Sequence, residues 1–122
     1  MMIEKHLEDL SLVEIDITIA IIMNRFIVTV HSIENLHCCK VAADNLSNSF
    51  PFRPSSEYQD GGPVAEQYKA GVAWDEKKSA WVAYCNNNGR NHFVQHESMV
   101  AAQMLAIIKA YRGLSVNVPL LA

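Results

Sequence analysis

The residues best suited to bind a ligand are concentrated in one segment, RPSSEYQDGG at 53–62. A glycine pair that runs into a helix leaves backbone N–H groups free, and these groups and the helix dipole favour an anion. Arginine, serine and tyrosine side chains add donors and a stacking surface. No glycine-rich nucleotide fingerprint is present. The residues predicted to bind a small anionic or nucleotide-like ligand are Arg53, Ser55, Ser56, Tyr58, Gly61 and Gly62.

An alternative interpretation of the same segment is architectural. A rigid turn would dock Phe52 and Tyr58 onto the core, with the serines bonded to local backbone and the glycines fixing the turn. A second polar loop, NNNGRN at 86–91, supplies Arg90, Asn91 and, next to it, His92. We predict that these three residues and the 53–62 loop lie on one side of the molecule and form its functional surface.

Metal binding and catalysis find little support in the sequence. The groups His37-Cys38-Cys39 and His92-x-x-x-His96 lack both the paired Cys spacing of structural zinc sites and the HExxH pattern. No nucleophile elbow is present, and Cys85 is the best placed thiol. A small buried cysteine usually packs as a hydrophobic residue. Since neither a metal-binding spacing nor a catalytic motif is present, we predict no metal, no cofactor and no catalytic residue.

The elements predicted to position these residues belong to an α+β fold in a single domain, 1–122. Ser11 and Glu14 form a capping box before a helix at 12–23. Asp16 on this helix is either a rim residue or a buried partner for a base. The second helix, 98–112, has apolar residues at helical spacing.

These helices should pack on a small antiparallel sheet, built from a β-branched strand at 26–31 and a hairpin at 72–85. The 75–79 turn places Trp74 close to register with Trp81. Between these elements we predict a short helical piece at 38–45, a structured Pro/Gly loop at 50–62, a short helix from Pro63 to Tyr68, and an extended tail at 114–122.

Composition restricts the partners. The chain carries ten Lys and Arg against thirteen Asp and Glu, so a protein that coats nucleic acid is excluded. We expect no signal segment, no membrane span and a cytoplasmic location, since the longest apolar runs are too short for a bilayer. Two very apolar helices and Leu120 and Leu121 predict a homodimer or larger, with the 12–23 helix or the tail in the interface.

The stretch F-x-P-S-x-x-Y-x-x-G-G-P-x-x-E at 52–66 resembles the central motif of the NinX-like family of bacteriophage proteins. The chain is similar to that family also at 10–16, at 81–83 and at 99–102. It differs at Tyr58, where the family usually has Trp, and at Ala65, where an aliphatic residue is usual. The resemblance implies an accessory protein of a phage or prophage, and no catalytic residue carries over.

Three functions therefore remain open from the sequence. The first is a non-enzymatic accessory protein that counters host defence or modulates host physiology by binding a small anionic or nucleotide-like ligand. The second is an inhibitor or adaptor of a host protein, which would use the acidic N-terminal half. The third and least favoured is an enzyme.

Overall fold

The chain folds as an α+β protein with small antiparallel sheets, as its sequence predicts. A computed structural model describes residues 2–25, 27–33, 36–42 and 49–119. The strands are β1 (Met2–His6), β2 (Ile27–Ile33), β3 (Leu36–Ala42), β4 (Ser49–Pro51), β5 (Gly71–Asp75), β6 (Ala80–Asn87), β7 (Arg90–His96) and β8 (Ser115–Pro119). The helices are α1 (Leu12–Ile22), α2 (Tyr58–Gln67) and α3 (Met99–Arg112), and a 3₁₀ turn covers Leu7–Asp9.

The described strands form three separate antiparallel sheets, in the orders β1-β8, β2-β3-β4 and β5-β6-β7. The strand predicted at 26–31 and the hairpin predicted at 72–85 therefore belong to different sheets. The helical piece predicted at 38–45 is wrong for its first five residues, which lie in β3, because pairing with both β2 and β4 outweighs the local propensity. Residues 43–45 lie outside the described residues.

α3 is the centre of the core. It packs on the inner face of the β5-β6-β7 sheet and also contacts α1 and α2. Ser98 caps its start through a bond from the Ala101 N–H, and Gly113 ends it at φ 90°. Met104 and Ile107 are completely buried, so this helix supplies much of the apolar surface that the fold removes from water.

α1 begins with the predicted capping box. The Ser11 Oγ accepts from the Glu14 N–H, and the Glu14 carboxylate accepts from the Ser11 N–H at 2.9 Å. The helix packs against α3 and β3, which bury most of it within its own chain. Only Leu12 and Ile21 remain exposed as large apolar side chains on it.

The β5–β6 hairpin places Trp74 directly opposite Trp81, as predicted. Their ring centroids are 5.3 Å apart with an interplanar angle of 70°, an edge-to-face pair. The connecting turn is held by a bond from the Lys78 N–H to Asp75 Oδ1, and Ser79 adopts a φ of 50°. Asp75 thus fixes the turn that sets the register of the tryptophans.

The polar loop predicted at 86–91 is in fact a second hairpin. β6 continues to Asn87 and β7 starts at Arg90, so only Asn88 and Gly89 remain as the turn. Both turn residues have positive φ, 56° and 78°, which matches the right-handed twist of the flanking strands.

The tail predicted as extended forms β8, which pairs with β1 from Met2↔Pro119 to His6↔Ser115. A bond from the Leu7 N–H to the Leu114 carbonyl continues this ribbon. The sequence predicts no strand at the N-terminus, and it predicts the tail only as an extended segment. Leu120 and Leu121, which it placed at an oligomer interface, lie outside the described residues.

Candidate functional site

The Ser55 turn, residues 54–56, is anchored inside the protein. The Ser55 N–H donates to Asp16 Oδ1 at 2.8 Å, and the Ser55 hydroxyl donates to the Leu12 carbonyl at 3.0 Å. Both bonds join the turn to α1, and Ser55 is only 1% exposed. For Ser55 the prediction of a ligand contact is therefore wrong, because the side chain and the amide are already used within the fold.

Asp16 is the buried acceptor for this turn, so the rim interpretation is wrong. Burial raises the pKa of Asp16 to about 7, although the bond from the Ser55 amide, the nearby Ser55 side chain and the charge of Arg53 act in the opposite direction. The nearby charge of Asp60 raises it further. Asp16 is the buried acceptor of the Ser55 amide, and the base whose charge acts on it is Arg53.

The glycines of the segment lie inside α2, which begins at Tyr58 and not at Pro63. The Gly61 N–H donates to the Glu57 carbonyl at 2.9 Å, so this amide is not free for an anion. A Cβ at Gly61 would collide with the Pro54 carbonyl oxygen and come within 2.8 Å of Val100 Cγ2. Gly61 is required for close contact, as the architectural interpretation predicts.

Arg53 and Ser56 are exposed on the outside of the turn. The Arg53 N–H donates to Asp60 Oδ2 at 2.9 Å, and the Arg53 carbonyl accepts from the Glu57 N–H at 2.8 Å. These bonds close the turn that leads into α2. The side chains of Arg53 and Ser56 thus border the turn, while its backbone is occupied by its own bonds.

Arg90, Asn91 and His92 lie in β7 and not in a loop. Asn91 accepts a bond from the Asn86 amide at 3.0 Å, and neighbouring Asn87 donates to the Ala110 carbonyl at 2.9 Å. This hairpin end therefore adjoins the last turn of α3.

The structure does not bring the two predicted sets together. Gly61 adjoins Val100 in the first turn of α3, whereas Asn87 bonds to Ala110 near its last turn. The ten positions between Val100 and Ala110 span ~15 Å along the helix axis. The 53–62 segment and the Arg90 hairpin thus adjoin different ends of α3, and their common surface stays a prediction.

A cleft that the sequence analysis missed lies beside α2, with a volume of about 400 Å³. Its walls come from one side of α2, the segment that joins α2 to β5, the first residue of β5 and one residue of α3. We call it the Gln103 cleft, and its lining residues are Tyr58, Gly62, Ala65, Glu66, Lys69, Ala70, Gly71 and Gln103. Tyr58 and Gly62 are thus the two predicted site residues that line a cavity together.

One exposed tyrosine ring lines the Gln103 cleft beside a glycine, and a second ring covers another glycine of its lining. A Cβ at Gly62 would lie 3.1 Å from the Tyr58 ring, and a Cβ at Gly71 would collide with the ring and hydroxyl of Tyr84. Tyr58 is 66% exposed and Tyr84 is 45% exposed. Absence of a side chain at Gly62 thus lets the exposed Tyr58 ring lie close to the wall of the cleft, and absence of one at Gly71 leaves room for Tyr84 on the neighbouring strand.

Gln103 contributes a buried amide to this cleft. Its Nε2 donates to the Ala70 carbonyl at 3.0 Å, which joins α3 to the chain just before β5. Its Oε1 is buried, and no hydrogen-bond partner for it exists among the residues that the structure describes. A buried acceptor without a donor costs about 1–3 kcal/mol, so this oxygen favours any ligand that brings an N–H or O–H group.

Cys85 and the metal-ligating side chains that the structure describes show no reactive arrangement. Burial raises the pKa of the Cys85 thiol, and its Sγ lies 3.5 Å from the Tyr68 carbonyl oxygen. A buried thiol of raised pKa is a poor nucleophile. Within the described ranges, no three His, Cys, Asp or Glu side chains group closely enough to hold a metal ion.

No helix among the described residues is long and apolar enough to cross a bilayer. The chain matches no protein-family model and none of the curated proteins compared with it. The chemistry of the site must therefore be argued from its own residues.

Proposed function

We propose that this chain is a non-enzymatic binding protein that holds a small nucleotide-like ligand in the Gln103 cleft. The observation that carries the proposal is the Gln103 amide, whose buried Oε1 has no donor in the part of the chain that the structure describes, while its side chain lines an open cleft. A volume of about 400 Å³ lies within the ~300–1,000 Å³ of small-molecule sites.

The Tyr58 ring favours a ligand with a planar ring. Tyr58 is an exposed ring that lines the cleft, and base–aromatic stacking contributes ~1–3 kcal/mol per base. Gln103 Nε2 donates one of its N–H groups to the Ala70 carbonyl, and Oε1 is the acceptor of this amide that no described residue fills. A base with an exocyclic amino group, such as adenine or cytosine, supplies the missing donor.

The charged residues of the cleft favour an anionic group and hydroxyls on the same ligand. Lys69 lines the cleft immediately after α2 and adopts a φ of 56°, which ends the helix there. Its ammonium suits a phosphate, and the carboxylate of Glu66 can accept from sugar hydroxyls. Both are exposed, so they select the ligand without a cost to the fold.

The biological role that we propose is that of a phage or prophage accessory protein in the cytoplasm of the host bacterium. It would counter host defence or modulate host physiology by withholding its ligand. The resemblance to the NinX-like family supports this context, since Tyr58, Gly62 and Glu66 of its central motif line the cleft. No reaction is implied by this role.

A protein inhibitor or adaptor is the second candidate, and the outer face of the β5-β6-β7 sheet favours it. Ala73, Tyr84 and Phe93 are all exposed there, and Tyr84 and Phe93 pair across β6 and β7 with ring centroids 6.2 Å apart. Exposed apolar patches often mark sites of protein contact. We expect a homodimer or larger for the same reason, and light scattering that shows only monomer at high concentration would contradict it.

Calorimetric titration with the four 5′-nucleoside monophosphates tests the proposed ligand class. We expect saturable 1:1 binding that favours an amino-bearing base. Gln103→Leu should reduce that affinity by about tenfold or more, because the acceptor for the base is lost. The matched control is Gln67→Leu, which makes the same change at an exposed position of α2 outside the cleft.

A complementary experiment lets the protein choose its ligand. The purified protein is incubated with a lysate of infected cells and washed, and the small molecules released on denaturation are analysed. We expect a nucleotide-like compound that Gln103→Leu fails to retain. If none of the four nucleotides binds and nothing is retained, the binding function is wrong and a pull-down for a host protein becomes the decisive experiment.

A further inference from the structure

A second cavity lies on a different part of the molecule, where the end of β1 and the 3₁₀ turn meet β7 and α3. Its volume is about 430 Å³. Leu7 and Leu105 are buried beneath it, whereas Phe93 and Leu114 are 54% and 57% exposed at its borders. We call this cavity the leucine groove. Its surface combines an apolar floor with apolar edges that water still reaches.

The polar lining of the groove consists mainly of donors. The Ser98 N–H donates to His96 Nδ1 at 2.9 Å, so the neutral ring of His96 must carry its proton on Nε2. The Nδ1 of His6 is directed at the 3₁₀ turn that follows it. It accepts from the Glu8 N–H at 3.4 Å and lies 3.7 Å from Glu8 Oε1. Nε2 is therefore the donor nitrogen of both rings.

Lys109 adds the fixed positive charge of the groove. Its Nζ donates to the Phe93 carbonyl at 2.9 Å, which positions the ammonium beside β7 and leaves two of its three N–H groups. The one acidic side chain in the lining is Glu8, which is largely exposed and turned toward His6. The groove thus offers two imidazole donors and an ammonium next to leucines.

We propose that the leucine groove binds a free fatty acid, with the aliphatic chain on the leucine floor and the carboxylate at His6, His96 and Lys109. The chain removes the exposed surfaces of Phe93 and Leu114 from water, which favours binding in proportion to the apolar area covered. The carboxylate has only acceptors, so it matches a set of donors with one fixed positive charge. This inference does not depend on the proposed function of the Gln103 cleft.

Titration calorimetry with sodium decanoate below its micelle concentration tests the inference, with decanol and acetate as the two matched probes. We expect saturable 1:1 binding of decanoate and at least about tenfold weaker binding of either control probe. Equal binding of decanol and decanoate would overturn the carboxylate site. Absence of saturable decanoate binding would overturn the proposal as a whole.

Two substitutions separate the headgroup from the chain. Lys109→Met removes the charge but keeps an aliphatic stem, and His96→Asn keeps an acceptor for the Ser98 N–H while removing the Nε2 donor. Each should weaken decanoate about tenfold and leave decanol unchanged. Lys77→Met, at an exposed turn position, is the control and should change neither affinity.

Comparison of melting temperatures shows whether the variants remain folded, and Leu114→Ser at the exposed border provides an additional test if one of them does not. It should weaken decanoate and decanol alike. If Lys109→Met and Leu114→Ser both leave decanoate binding intact, the proposal is wrong. A hexapeptide with a C-terminal leucine that binds more tightly than decanoate would also overturn it and assign the groove to a protein terminus.

Discussion

Two sets of residues within the 52–66 segment have opposite environments, although the sequence presents them as one motif. Phe52, Pro54, Ser55 and Gly61 are buried and hold the segment against α1 and α3. Tyr58, Gly62 and Glu66 lie along the Gln103 cleft and remain accessible to a ligand. The buried residues position the helix, and the accessible ones present its chemistry. Substitutions in the first set should therefore affect stability, and substitutions in the second should affect binding.

The two adjacent glycines give the largest expected contrast. Gly61→Ala introduces a Cβ that collides with backbone at Pro54, so we expect a loss of ~3 kcal/mol or more in the free energy of unfolding, measured in urea. Gly62→Ala meets only the exposed Tyr58 ring, which can move, and alanine is favoured over glycine by ~1 kcal/mol inside a helix. Equal destabilisation by the two changes would contradict the division of the motif.

The two adjacent serines repeat the comparison at a smaller scale. Ser55→Ala removes the hydroxyl bonded to the Leu12 carbonyl and should lower the free energy of unfolding by ~1–2 kcal/mol. Ser56→Ala changes an exposed side chain and should stay within ~0.5 kcal/mol of the wild type. A Ser55→Ala variant as stable as Ser56→Ala would show that the turn does not depend on its bond to α1.

Glu14 and Asp16 are two carboxylates on one helix whose pKa values are shifted in opposite directions. Burial acts to raise the pKa of Glu14, but bonds from Ser11 and Lys5 outweigh it and lower that pKa. Burial dominates at Asp16, whose pKa is about 7. Between pH 4 and 7 the folded state therefore keeps a proton on Asp16 that the unfolded chain has lost.

This difference gives the pH dependence a definite sign. The Asp16 contribution to stability falls as pH rises from about 4 toward 7, by up to ~1.4 kcal/mol per pH unit. The Glu14 contribution has the opposite sign, since its lowered pKa stabilises the fold above its unfolded value and is lost in acid. Asp16→Asn should remove the first slope, and urea melts of both proteins at pH 5 and 7 measure it. Parallel pH profiles for the two proteins would contradict the buried position of Asp16.

The smallest effect on stability is expected from substitution of the accessible residues that line the Gln103 cleft. Tyr58→Ala should change the free energy of unfolding by no more than ~0.5 kcal/mol, because the ring is mostly exposed. The affinity of the Tyr58→Ala variant for the most tightly bound nucleotide should nevertheless fall by about tenfold through the loss of stacking. Tyr111→Ala on α3 is a suitable control, since that tyrosine is exposed but packs against Tyr68 outside the cleft.

Local signals in the sequence predicted the elements with strong caps and periodicity. The Ser11 capping box, the 98–112 helix ended by Gly113 and the Trp74–Trp81 pair are confirmed. The dipeptide Asn88-Gly89 also indicates the second hairpin, because it favours the two-residue turn that the structure contains there.

Other features depend on contacts between distant parts of the chain. β1 forms only because β8 pairs with it from the opposite end of the sequence. The sequence alone presents Ser55 as an exposed donor, but its N–H donates to Asp16, which is 39 positions away in the chain. Gln103 looked like an ordinary helical residue, and only the approach of Ala70 shows that its amide is buried with one unused oxygen. These relations follow from tertiary packing, which periodicity and turn chemistry do not encode.

The most direct measurement is a ¹H–¹⁵N correlation spectrum recorded during titration with whichever 5′-nucleoside monophosphate binds most tightly. The account predicts shifts of the Gln103 side-chain amide and of the Gly62 and Gly71 backbone amides, with little change at Ser55. Shifts confined to Ser55 and Ser56, or to residues 90–92, or no shift with any of the four nucleotides, would contradict the assignment of the Gln103 cleft as the binding site.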